Sequence, residues 1–295
     1  MTTALDDRIQ TSLNAPVDPA VRGFAARLGE SAGALAVLFY GSNLRSRSLE
    51  GVLDYYVLLP GEIERGIWPR VSYHEREHDG ATLRAKVATM TLATFAAAAG
   101  GELLDTTIWT RFVQPSALVW TRDTASAEPV VGAVATAAIT AARFAAAIGP
   151  ERGTAEEFWR ALFRATYRVE LRFERPGREN DILAANRAHF EGLFPLALEA
   201  SGIAVERDGE VLSPRLAKDL RSALRRAFRR RARWGKAYGV GRLLRASTTF
   251  DGAARYAAWK IERHTGVPVK LTPWVERHPV LAAPGVLWRV WRARR

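Results

Sequence analysis

The chain has 295 residues, 48% hydrophobic and 25% charged, with a formal net charge of +12, as expected for a globular protein with room for two modest domains. It has no cysteine, which excludes disulfides and thiolate-ligated zinc or iron–sulfur centres. The positive excess points to an anionic partner, whether nucleic acid, acidic lipid or a phosphorylated substrate.

The N-terminal MTTALDDRIQ is polar and acidic, unlike a signal sequence. No apolar run is expected to reach membrane-spanning length. Asp18 to Arg27 predicts a short helix with Val21, Phe24 and Ala25 inward. Leu35 to Tyr40 is a continuous apolar run, the pattern of a strand covered on both faces. Val52 to Leu59 is the next strand, ended by Pro60-Gly61, with Val52, Asp54, Tyr56 and Leu58 on one face. Val71 to Glu77 and Thr82 to Met90 flank Asp79-Gly80, a hairpin turn. That hairpin puts Tyr73 and Glu75 on one face of the first arm and Arg84 and Lys86 on one face of the second.

The period then turns helical. Thr91 to Ala99 stops at Gly100-Gly101. After TIWTRFVQPSALVW comes an alanine-rich helix, Val130 to Ile148. Thr154 opens another, with Glu157 completing a capping box. A further helix is expected from Ile182 to Ala200, bent at Pro195. Ser213-Pro214 predicts the start of the most charged helix. Leu216, Leu220, Leu224 and Phe228 form its apolar stripe, among Arg215, Lys218, Arg221, Arg225, Arg226, Arg229, Arg230, Arg231 and Arg233. The terminal PGVLWRVWRARR, Pro284 to Arg295, winds into a short helix of tryptophan and arginine, suited to an anionic membrane interface.

The chemistry is concentrated in LAVLFYGSNLRSRSLEGVLDYYVLL, Leu35 to Leu59. A buried strand ends in Gly41-Ser42, and the following strand carries one carboxylate, Asp54. Glycine lets backbone amides approach a phosphate, Ser42 adds a hydroxyl, and Asp54 is a ligand for a divalent cation. Such a site fits nucleotidyl transfer, where charge builds on oxygens bound to phosphorus. The position two residues on, where a second acid is usual, is Tyr56, so Glu75 or Glu77 on the neighbouring strand are the candidates to supply it. Lysine occurs only at positions 86, 218, 236, 260 and 270. A lysine on the inward strand face, Lys86, therefore suggests a point charge for phosphate. The histidines show no metal-ligand spacing, and there is no P-loop, Rossmann glycine pattern or nucleophile elbow.

Taken together, YGSN (Tyr40 to Asn43), Asp54, VSYHE (Val71 to Glu75), LRAKVATM (Leu83 to Met90), LLDTTIWTRFVQPSALVW and YGVGRLLRASTTFDGAARYAAWKI resemble the mitochondrial-type CDP-diacylglycerol synthases, the translocator assembly and maintenance protein family. One departure is Asp251 before Gly252, where that family carries lysine. The resemblance implies an α+β architecture. A nucleotidyltransferase mixed-sheet domain (1–124) is followed by a helical, winged-helix-like domain (125–275) and a basic amphipathic membrane-contacting tail (276–295). It implies CTP and phosphatidic acid as substrates, CDP-diacylglycerol and pyrophosphate as products, and Mg2+ as cofactor.

The expected site is then Asp54 and Lys86 in catalysis; Tyr40, Gly41, Ser42, Asn43 and Lys86 at the nucleotide; and Asp54 and Glu75 at the metal. Arg245, Trp288, Arg289, Trp291 and Arg292 are expected at lipid or membrane, and the protein is expected on the cytoplasmic face as a peripheral protein. The alternatives are another lipid phosphate such as ceramide phosphate, an enzyme of the same fold acting on protein or RNA, or a non-catalytic nucleic-acid-binding protein using the arginine helix. Nucleic acid is not the expected partner.

Overall fold

The computed structural model describes residues 3–66, 68–169, 177–249, 252–269 and 271–277, together with 282, 285 and 288. In chain order the elements are α1 (Ala4–Leu13), α2 (Pro19–Ala32), β1 (Ala36–Tyr40), α3 (Ser42–Ser46), β2 (Leu53–Leu59), β3 (Arg70–His78), β4 (Ala81–Thr91), α4 (Leu92–Ala99), α5 (Thr107–Phe112), β5 (Ser116–Thr121) and α6 (Ala127–Ile148). There follow β6 (Gly153–Thr154), α7 (Ala155–Val169), α8 (Arg178–Ala185), α9 (Arg187–Phe190), α10 (Leu193–Ala200), β7 (Val205–Asp208), β8 (Val211–Pro214), α11 (Lys218–Thr249), α12 (Ala253–Thr265) and α13 (Pro273–Arg277).

The chain is α+β, and its mixed sheet is compatible with a nucleotidyltransferase-like fold. The five-stranded sheet runs β3-β4-β2-β1-β5. Strands β2 and β4 are parallel, and the other neighbours are antiparallel. The β3–β4 hairpin turns at Asp79 (φ 49°) and Gly80 (φ 76°), the left-handed pair that a type I′ turn requires.

Because β1, β2 and β4 are apolar on both sides, each sheet face needs a cover. One face carries Val37, Phe39, Tyr55, Val57 and Val87 against Val21, Phe24 and Ala25 of α2. There the Tyr55 hydroxyl donates to the Val21 carbonyl at 3.1 Å. The other face carries Leu38, Tyr56, Leu58, Ala88 and Met90 into the largest core, which includes the alanine row of α6. Helix α6 packs against α1, α4, α5, α7, α10 and α11, and its alanines let those neighbours come close. Trp109 stacks on Phe144 at 5.2 Å within this core; truncating such a ring costs about 3–5 kcal/mol. The core contains residues from Leu5 to Phe228 and so continues across the expected boundary at 124/125.

Four sequence expectations need correction. Residues Thr124–Ile148 are long and apolar enough to cross a membrane by length and composition, although 67% of their most apolar window is buried within the protein. Ser213 and Pro214 do not open a helix. They end β8, because Gly209 (φ 60°) and Glu210 turn β7 back onto it, and β6 joins to give a second sheet, β6-β8-β7. The expected helix over Ile182 to Ala200 is three short helices. The breaks fall at Asn186 and at Gly192 (φ 68°), and Pro195 lies in the first turn of α10, where its missing N–H is tolerated. Arg231, grouped in the sequence with the other arginines around the apolar stripe, is set apart from them. It is 3% exposed and donates to the carbonyls of Gly101, Leu103 and Ala227, joining α11 to the turn after α4.

Candidate active site

One row of paired residues crosses the whole sheet: Ser116, Tyr40, Asp54, Lys86 and Tyr73. Registered neighbours project to the same face, so this row places the Asp54 carboxylate between Tyr40 and Lys86. The next same-face row, with Tyr56 and Ala88, is already dry core. Asp54 therefore stands where the core ends.

The turn after β1 is built around that carboxylate. Gly41 has φ 94° and ψ −161°, a region essentially restricted to glycine. A Cβ there would sit 3.3 Å from Asp54 Oδ2. Glycine is thus required twice, for the backbone and for the approach. Ser42 follows at the start of α3, exposed, its hydroxyl 3.4 Å from Asn43 Oδ1. Asn43, expected at the nucleotide, points into the protein instead. It is 8% exposed, and its amide donates to the carbonyls of Ser48 at 2.9 Å and Glu50 at 2.7 Å. Its work is to brace the loop that leads to β2.

Burial raises the Asp54 pKa above the usual aspartate value, and the positive charges of Lys86 and Arg111 partly oppose that rise. Arg111 comes from α5. Its guanidinium lies 5.0 Å from the Tyr40 ring centre and 5.6 Å from that of Tyr56, and Nη1 donates to the Tyr56 hydroxyl at 2.6 Å. Two tyrosines thus aim a cation at the carboxylate. Helix α12 closes the other side. Gly252 (φ 77°) lies directly on the Tyr73 backbone, and Tyr256 packs on the Tyr73 ring at 5.5 Å. Burial raises the Tyr256 pKa and the Asp54 charge raises it further, so the phenol lies within electrostatic reach of the carboxylate. Lys260 Nζ lies 5.9 Å from the Tyr256 ring centre.

Glu75 does not join Asp54. The strand β4 stands between them, so the carboxylates start about 10 Å apart laterally from strand spacing alone. Glu75 instead accepts from the Tyr73 hydroxyl at 2.9 Å and pairs with Arg84 at 3.5 Å. Among the described residues no group of three or more His, Cys, Asp or Glu side chains could hold a metal ion alone. A lone carboxylate beside a glycine turn still fits magnesium, which keeps several waters and is commonly shared between one or two carboxylates and substrate phosphates.

The sequence reading missed Arg111, Tyr256 and Lys260. Lys260 carried a signal: it is one of the few lysines and lies four residues from Tyr256, on the same helical face. Of the expected membrane contacts, Trp288 is 56% exposed. Arg245 lies on α11 with its side chain outside the described residues, as are Arg289, Trp291 and Arg292. No protein-family model matches this chain, and no curated protein matches it.

Proposed function

We propose that the protein is a nucleotidyltransferase that joins a nucleoside monophosphate, from CTP, to a lipid phosphate such as phosphatidic acid, releasing pyrophosphate. The observation that most supports this reading is the Gly41 turn abutting the half-buried Asp54 carboxylate, with Lys86 opposite it in the next strand. A carboxylate enclosed by Lys86 and Arg111 suits a polyanion plus a divalent cation better than it suits a structural ion pair.

In this reading the amides at Gly41 and Ser42 receive the triphosphate, and Lys86 and Arg111 neutralise charge on its oxygens. Asp54 would hold magnesium, which supplies Lewis-acid stabilisation of that charge. The acceptor is a phosphomonoester and already an anionic nucleophile. Its oxygen forms the new bond to the α-phosphorus, and the bond from the α-phosphorus to the bridging oxygen breaks. Pyrophosphate leaves with the electron pair, so no strong general base is needed. The exposed Arg226, Arg229, Arg230 and Arg233 of α11, beside Trp234 at 54% exposure, support contact with an anionic bilayer from the cytoplasmic side.

Incubation with each nucleoside triphosphate and a panel of lipid phosphates, phosphatidic and ceramide phosphates included, tests this by mass detection of the product. The expected result is a CDP-lipid that depends on magnesium and is lost in Asp54→Ala. Salt-sensitive nucleic-acid binding that survives Asp54→Ala, without any lipid product, favours a non-catalytic reading.

A further inference from the structure

A cleft of about 870 Å³ opens at the same end of the sheet, between loop 49–51, the tip of the β3–β4 hairpin, the start of α2, and α12. Its size is that of a small-molecule site. Its lining includes Arg84, Trp259 and Arg263 but not Asp54, Lys86 or Gly41. The guanidinium carbons of Arg84 and Arg263 lie 5.5 and 5.3 Å from the Trp259 ring centre. One tryptophan therefore orients two guanidinium groups at the same cleft.

Both arginines have capacity left. Arg84 Nη1 donates to the Thr82 carbonyl, but its buried Nε has no hydrogen-bond partner among the described residues, Glu75 being a 3.5 Å ion-pair contact. Among the described residues no carboxylate pairs with Arg263, whose Nη1 would lie 3.3 Å from a Cβ at Gly51. Gly51 (φ 88°) lets loop 49–51 approach that close, and Asn43 clamps the same loop through Glu50. The turn proposed for the triphosphate and the wall of the cleft are thus one braced piece. Three acids line the cleft: Asp18 caps α2 through the Ala20 amide at 2.8 Å, Asp79 lies 3.4 Å from His78, and Glu50 is exposed.

We propose that this cleft is a second anion site, which binds the phosphomonoester head of the acceptor. The identification of that anion as the acceptor rests on the nucleotidyl-transfer reading; the anion site itself does not. Arg84 and Lys86 share one face of β4, so a phosphate held by Arg84 lies one same-face step, about 7 Å between Cα atoms, from phosphates held by Lys86. The long side chains of both residues can close that gap. A nucleobase is the poorer occupant, because the cations already cover the ring it would stack on.

Calorimetry on the full chain tests the site with short-chain phosphatidic acid, glycerol 3-phosphate and inorganic phosphate, each with and without CTP. Arg263→Ala and Trp259→Ala are compared with wild type, and thermal melting confirms that each folds; Arg263 is exposed, so its variant is the decisive one. Arg263→Ala is expected to weaken phosphomonoester binding by about 10- to 100-fold, the loss of a charge-assisted hydrogen bond, with little change for CTP. Preference for phosphatidic acid over glycerol 3-phosphate assigns a lipid acceptor; equal binding of the two assigns a soluble one.

Phosphomonoester binding unaffected by Arg263→Ala, or CTP affinity falling in step with it, overturns the proposal. Arg263-dependent binding in a protein that turns over no nucleotide keeps the anion site and removes the nucleotidyl-transfer reading. Turnover indifferent to Arg263→Ala does the reverse.

Discussion

The two ends of one sheet face make the instructive contrast. Around Leu38, Tyr56, Leu58 and Met90 the face is sealed beneath the helices around α6. One same-face step away, about 7 Å along the strands, the row becomes Tyr40, Asp54, Lys86 and Tyr73. The backbone is the same, but the cover is different. The dry end lies under the alanine-rich helix. The polar end is bounded by the Gly41 turn, by Arg111 from α5 and by Tyr256 from α12. A carboxylate placed there costs stability through desolvation, which the charges of Lys86 and Arg111 partly offset.

The largest effect is expected from removing that charge. Asp54→Asn should lower kcat by about 10³-fold or more, the upper range for losing a charge-organising group. The same change should raise the Tm at neutral pH. The folded pKa of Asp54 is raised above 3.8, so between 3.8 and that higher value the native state binds more protons than the unfolded chain. The Asp54 contribution to stability therefore falls as pH rises through that window and stays lower above it. The Tm advantage of the asparagine variant should vanish below pH 3.8. On the proposed function, in which Asp54 acts ionised, the acid limb of kcat/KM in wild type should lie above the ordinary aspartate range. A lower Tm for Asp54→Asn at neutral pH would make this row a stabilising ion-pair network and break the contrast with the dry end.

Lys86→Met comes next, with kcat reduced by about 10²-fold and a lower Tm at neutral pH, because Asp54 loses a cation that offsets its desolvation. A similar loss for Tyr56→Phe, which removes only the hydroxyl that receives Arg111, would move the boundary of the site one row into the core. Gly252→Ala should cost less, about 10-fold in kcat/KM, by displacing α12. Its φ of 77° is unfavourable for alanine, and a Cβ would sit 2.8 Å from the Tyr73 carbonyl oxygen, which as backbone cannot yield. Unchanged kinetics in that variant would detach Tyr256 from the site.

What was legible in the sequence was what depends on neighbours along one strand. The alternation in Leu53–Leu59 put Asp54 and Tyr56 on one face, and Asp79-Gly80 fixed the hairpin that brings Lys86 into register. The capping box was equally local: the Thr154 amide reaches Glu157 at 2.7 Å. Less local facts were missed. Strand periodicity says which face Glu75 takes, but the sheet order decides what lies between it and Asp54, and here that is β4. Arg111 and Tyr256 arrive from helices far along the chain, and no spacing rule links them to Asp54. Arg231 looks identical to its exposed neighbours in sequence, and only the turn at Gly101 and Leu103 distinguishes it. Ser213-Pro214 matched a helix start, yet a hairpin partner claimed it first.

The smallest effect is expected at Glu75, and there the two candidate carboxylates can be told apart. A metal ligand changed to glutamine would lose on the order of 10²-fold in activity, and its magnesium requirement would rise. Glu75 in this structure is instead a partly exposed partner of Arg84, with side-chain exposures of 34% and 28%, and an acceptor for Tyr73. Such a solvent-screened pair contributes about 0–1 kcal/mol. Glutamine keeps an oxygen for the Tyr73 hydroxyl and removes only the charge facing Arg84. Glu75→Gln should therefore leave kcat and the magnesium dependence within about threefold of wild type. By freeing Arg84 for an incoming phosphate, it should lower the acceptor KM and leave the KM for CTP unchanged. A raised magnesium requirement would return Glu75 to the metal and require β3 to approach Asp54 more closely than the register allows.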